Sequence, residues 1–170
     1  DLTSIIEGYD KWIGENSAKI ESLPSRLKTA AENHMDECRK ALKRMRDGLD
    51  LLENDETARI AFRYANEAIY TQQKRAGATR KWQGDPLALA GTEEDFFKDE
   101  ARIGKWRPFQ IAFILMNLRS MLEGDDPYKQ NVELIWFPTG GGKTFTCIKG
   151  IAELFKSVKL KLGEDKVLWV

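Results

Sequence analysis

The residues able to do chemistry are concentrated in one stretch, Ile135-Trp136-Phe137-Pro138-Thr139-Gly140-Gly141-Gly142-Lys143-Thr144. Three consecutive glycines allow backbone angles closed to other residues, so successive N–H groups can turn inward on one anion. A helix starting near Gly142 would add its N-terminal dipole and its unpaired N–H groups. Lys143 then reaches the β- and γ-phosphates of a nucleotide, and the Thr144 hydroxyl ligates Mg²⁺. The chemistry is the binding of ATP with Mg²⁺ by Thr139, Gly140, Gly141, Gly142, Lys143 and Thr144. Lys143 and Thr144 would also serve hydrolysis. A flexible turn is the competing reading. The strict phosphate-loop pattern has a glycine six residues before the lysine, where this chain has Phe137, so the looser Pro-Thr-Gly-x-Gly-Lys-Thr form applies.

A second constellation, Trp106-Arg107-Pro108-Phe109-Gln110, stands upstream, with Gln110 33 residues before Lys143. A glutamine amide can donate to and accept from the adenine edge. An arginine plane or an aromatic ring, here Arg107 or Phe109, can stack on the same base. An ordinary helix start with Pro108 in its first turn explains the same residues.

These residues need elements to position them. From Trp106 onward the chain reads as an apolar helix (PFQIAFILMNLRSML), an acidic turn, a strand (VELIWF), the glycine loop, a helix (TFTCIKGIAELFKSV) and a strand (KVLWV). Strand, loop, helix and strand make a βαβ unit, so residues 106–170 are expected to begin a parallel α/β sheet. Residues 76–105 mix Gly, Pro and charge and read as a connector, with a short helix near Glu93 to Glu100.

Residues 1–75 are helical in pattern. Leu27, Ala31, Met35, Cys38, Leu42, Met45, Leu49 and Leu52 lay one apolar stripe along a long helix, with Asp36, Glu37, Arg39, Lys40, Lys43 and Arg44 on the other face. Pro24 suits the first helical turn, and Gly48 within the stripe weakens the helix by about 1 kcal/mol relative to Ala. Ile5, Ile6, Tyr9, Trp12 and Ile13 mark a helix before it, and Ala58, Ile60, Ala61, Phe62, Ala65, Ala68 and Ile69 one after the turn ENDET. A three-helix antiparallel bundle is the simplest product, and an intermolecular coiled coil the alternative.

Of the 170 residues 42% are hydrophobic and 32% charged, enough to bury a core. Basic and acidic residues number 27 each, so no global charge draws nucleic acid or an acidic membrane, and a basic groove would have to be local. Cys38, Cys147 and His34 cannot build a zinc or disulfide framework and suggest core thiols in a reducing compartment. No apolar run reaches the length of a membrane span and no signal peptide is visible, which gives an expectation of a cytoplasmic protein without a membrane partner. The chain opens on Asp1 and stops within an apolar stretch at Val170, so a piece of a longer polypeptide is expected.

RPFQ followed by FPTGGGKT resembles the adenine-reading Q motif and motif I of superfamily 2 helicases and translocases. In wording, WRPFQIAFILMNLRSM and ELIWFPTGGGKT, with LPSRLKTAAENHMDECRKALKRMRDGLDLL ahead of them, resemble the helicase-like subunit of the DISARM anti-phage system. The resemblance implies a helical N-terminal part before tandem RecA-like motor domains, with Gly140 to Thr144 on the phosphates and Mg²⁺ and Gln110 on adenine. It implies DNA as a partner, contacted mostly by regions beyond this chain, and other defence subunits as possible partners. The acidic pair that orients Mg²⁺ and water, and the arginine finger, would lie past Val170, so this piece should bind nucleotide without turning it over. A partner-binding helical module with a regulatory nucleotide site, or a phosphate-loop ATPase of another lineage, remains the alternative.

Overall fold

The computed structural model describes residues 1–75, 82–84, 86, 88–89, 91–92, 103–123 and 125–134. Four helices dominate: α1 (Leu2–Lys19), α2 (Ser25–Asn54), α3 (Glu56–Arg75) and α4 (Pro108–Leu122). A single 3₁₀ turn, Ile20–Ser22, separates α1 from α2. Asp1 caps α1 by accepting from the Thr3 N–H at 3.0 Å. Pro24 stands one residue ahead of α2, as its N-cap rather than within its first turn. The ENDET turn is a one-residue break at Asp55, whose carboxylate accepts from the Ala58 N–H at 2.9 Å and starts α3.

Polar pairs give the directions of the helices. Asp10 pairs with Arg46, Ser17 with Arg39 and Glu21 with Lys28, so α1 runs antiparallel to α2. The stripe on α2 faces inward as its spacing requires. Met35, Leu42, Met45 and Leu52 are buried, and Cys38 and Leu49 pack against the same core. Leu27 is the exception: at 43% exposure it lies beyond the reach of the other helices. Ile6 and Ile13 of α1, Ala58 of α3 and Ile111, Leu115 and Leu118 of α4 complete the central cluster. Ile114, Leu115 and Leu118 are almost fully enclosed. Each such side chain contributes about 1.5–3 kcal/mol of burial.

The expected α/β class needs correction. Among the described residues the architecture is helical, and no parallel strand–helix–strand unit occurs. The strands present are two residues each, Trp82–Gln83 and Ala88–Leu89, paired antiparallel within the expected connector. Gly84, at φ 88°, supplies the left-handed conformation that the reversal between them needs. Two physical facts oppose the α/β reading. The helix expected to open an α/β layer, α4, buries its residues against α2 instead. The opening residues of the expected strand, Val132 and Leu134, are 98% and 86% exposed and lie in no strand. A strand is stable only with its backbone paired to a neighbour. The rest of that strand, the following helix and strand, and the expected short helix near Glu93 lie outside the described residues.

Gly48 explains how α4 comes so close. A Cβ at this position would stand 2.0 Å from the Leu115 carbonyl oxygen and 2.8 Å from its carbon. Only a residue without a side chain lets the two backbones approach to that distance. Its helix-propensity cost is the smaller effect. Gly48→Ala should therefore destabilise the bundle by about 1–3 kcal/mol or more through overpacking, despite alanine's higher propensity. Gly14→Ala, with nothing near its Cβ position, should be neutral or stabilising by up to about 1 kcal/mol. Urea unfolding of the two variants checks both signs.

Candidate nucleotide site and the platform before it

Of the residues selected for nucleotide chemistry, Arg107, Phe109 and Gln110 are described by the structure. Thr139, Gly140, Gly141, Gly142, Lys143 and Thr144, like Cys147, lie outside the described residues. Arg107 is the N-cap of α4, in extended backbone conformation, and Pro108 is its first residue. Proline fits there because its missing N–H would have no partner in the helix. The Gln110 side chain folds back, and its Oε1 accepts from the Arg107 N–H at 2.8 Å. The Gln110 N–H donates to the Arg107 carbonyl at 3.0 Å. This reciprocal closure resembles a capping box, with a backbone carbonyl in place of the usual hydroxyl. Gln110 is 5% exposed, and Arg107 is exposed beside it.

Trp106 fixes the direction from which the chain reaches this cap. Its indole N–H donates to Asn66 Oδ1 on α3 at 2.9 Å, and the Gly104 N–H donates to Gln73 Oε1 at 2.8 Å. The segment before α4 is thus laid along α3 by polar contacts that sequence periodicity does not reveal.

Phe109 points away from the cap into an apolar groove of about 700 Å³ between α1 and α4. Ile5, Tyr9 and Trp12 of α1 form one wall, Phe109, Phe113 and Met116 of α4 the other, and Ala41 and Met45 of α2 the floor. Tyr9 and Trp12 stack with centroids 5.8 Å apart and planes 8° from parallel. Burial first, then the neighbouring Cys38 side chain, pushes the Tyr9 phenol upward, so it stays protonated at neutral pH. The groove accounts for the all-round apolar character of α4: one face packs on α2 and another lines the opening.

Sequence reasoning missed a polar centre. Arg44, assigned to the solvent face, is 9% exposed and makes an ion pair with Glu133 at 2.7 Å. It also donates to Asn117 Oδ1 at 3.2 Å and lies 4.4 Å from the centre of the Tyr128 ring. Helical spacing carried a signal, since Arg44 is three residues from Ala41 and four from Gly48, on the edge of the stripe. The Asn117 amide, alone among apolar neighbours on α4, was the other signal. Among the described residues no group of His, Cys, Asp and Glu could hold a metal, and no helix is long and apolar enough to cross a membrane.

Comparison with known proteins bears on both halves of the chain. No protein-family model matches it. The DISARM protein DrmA of Bacillus paralicheniformis is 33% identical over 145 residues, which cover 84% of this chain. This chain is similar to a DISARM protein. A match of that extent within 170 residues necessarily takes in most of α2, all of α3 and α4, and the glycines of the loop. It covers 12% of DrmA's own length, so the chain corresponds to a small part of that relative.

Gln110→Ala should cost about 1 kcal/mol of stability, because the Arg107 N–H loses its acceptor. Denaturant unfolding measures this. Parallel ATP and GTP titrations of the same variant separate capping from adenine reading. A selective loss for ATP, worth about 1–3 kcal/mol, is expected if the amide also meets the base. Equal changes for both nucleotides would leave Gln110 as a cap alone.

Proposed function

We propose that this chain belongs to an ATP-dependent, helicase- or translocase-like protein of anti-phage defence, and that Ile135 to Thr144 bind ATP with Mg²⁺. The observation that carries the reading is Gly140-Gly141-Gly142-Lys143-Thr144, within a chain 33% identical to a DISARM protein over most of its length. The donor set suits the ligand: glycine N–H groups for phosphate oxygens, a lysine for the β- and γ-phosphates, and a hydroxyl for a hard cation. Bound Mg²⁺ would neutralise the charge that develops on the phosphates. This chain's own part is to hold the nucleotide: Lys143 compensates charge, Thr144 supplies an oxygen, and the exposed Arg107 stands at the cap where a base could stack, whereas Phe109 lines the groove instead. Turnover requires an acidic pair and an arginine from elsewhere in the protein, and DNA is the partner on which a motor of this kind would act.

The apolar groove favours a second reading, in which the helical part docks another defence subunit and the nucleotide site regulates assembly. Trp12, 44% exposed on the groove wall, distinguishes the two. In the full-length protein, Lys143→Ala should abolish ATP turnover while Trp12→Ser leaves it within about twofold. ATPase activity near wild type in Lys143→Ala would refute the nucleotide reading. Loss of subunit association in Trp12→Ser, in a reconstituted DISARM system, would favour the assembly role.

A further inference from the structure

We propose that the groove between α1 and α4 seats α1 of a second copy of this chain, in a symmetric antiparallel pair with Trp12 of each copy over Gly8 of the other. Nucleotide binding by residues 135–144 plays no part in it. Of the described residues that line the groove, none is charged. An ionic ligand would lose its water there and gain no counter-charge. The groove therefore suits an uncharged helix face. Its own wall is such a face: Ile5, Gly8 and Trp12 line it along two turns of α1.

Trp12 and Gly8 are a projection and a gap on that face. Trp12 is 44% exposed, and its stacking on Tyr9 sets the ring before any partner arrives. One turn earlier, Gly8 is exposed, with nothing within 4 Å of where a Cβ would stand. Glycine weakens a helix interior, and no contact within this copy requires one here. A projection and a gap four residues apart on one helix face complement each other under a twofold axis. Residue 12 then covers residue 8 of the partner, and the partner returns the contact.

The same axis aligns the ends of the helix. Positions 8 and 12 are centred on residue 10, and so are positions 1 and 19. Asp1 lies three turns before Trp12 and Lys19 two turns after it, so both are on the groove side of α1, and both are exposed. In the antiparallel pair, Asp1 of each copy meets Lys19 of the other. A parallel pair would set like charges together, so charge selects the orientation. Aromatic residues at the centre and ion pairs at the rim follow the usual anatomy of an interface.

The test is sedimentation equilibrium of the full-length protein over roughly 1–100 μM, with thermal melting to confirm folding. The wild type should dimerise reversibly in that range. Trp12→Ser should weaken the dimer roughly tenfold or more. Gly8→Leu should melt no lower than the wild type, because the site is open and leucine favours helix, yet dimerise at least tenfold more weakly, on the order of a lost central contact. A folded Gly8→Leu protein that dimerises like the wild type would overturn the proposal. Asp1→Lys and Lys19→Glu should each dimerise several-fold more weakly alone. An equimolar mixture of the two should regain wild-type affinity, since every cross pair is then opposite in charge. A mixture no tighter than its components would rule out the antiparallel arrangement. A wild type that stays monomeric throughout, even if Trp12→Ser loses a different subunit, would exclude a second copy as the occupant.

Discussion

The close crossing of α2 and α4 at Gly48 is the constraint on which the rest of the described structure depends. It lets the Leu115 backbone sit where any other residue's Cβ would be, and it brings Ile111, Leu115 and Leu118 into the core with Leu42, Met45 and Leu52. Packing at that separation leaves no slack, so the position of α4 along α2 is fixed within a fraction of a turn. Everything attached to the two ends of α4 inherits that position. At one end stand the Arg107–Gln110 cap and the Trp106 bond to Asn66. At the other, the chain turns back through residues 125–134 and meets Arg44.

The polar and apolar parts of the bundle divide the work. Burial supplies the bulk of the stabilisation and is tolerant of detail, since Leu, Ile and Met exchange at modest cost. The few buried polar groups supply direction. Gln110 closes the helix end, Asn117 orients a guanidinium, and Arg44 joins two segments 89 residues apart in the chain, from 44 to 133. A half-satisfied group at any of these sites would cost about 1–3 kcal/mol, so each selects one arrangement over its neighbours. The ion pairs on the exposed faces of α1 and α2, such as Lys43 with Asp47, are screened and contribute much less.

This arrangement anchors residues 125–134 on the bundle. The likeness to DrmA takes in most of α2, α3 and α4 together with Gly140 to Gly142. An open groove walled by Tyr9, Trp12, Phe113 and Met116 lies between α1 and α4, with Ala41 and Met45 of α2 at its floor. The bundle thus keeps apolar area open beside α4.

Much of this was legible in the sequence. The three-and-four spacing from Met35 to Leu52 specified a helix and its buried face, because that period follows from 3.6 residues per turn and needs no partner to be read. The phosphate-binding chemistry proposed for Gly140 to Thr144 is read from the residues alone, because glycine conformations and the adjacent lysine belong to the residues themselves, and it lies outside the described residues. Tertiary structure alone decided what depends on a neighbour. The α/β reading of the later half failed among the described residues because α4 found a better surface on α2 than in a sheet, and Val132 to Leu134 found no strand to pair with. Gly48 read as a weak point in a helix and is the contact that admits α4. Arg44 read as a solvent charge and is buried, because the groups that compensate it, Asn117, Tyr128 and Glu133, come from distant parts of the chain. A sequence shows the period of a helix face, but whether its edge meets water or another segment is settled only when the segments pack.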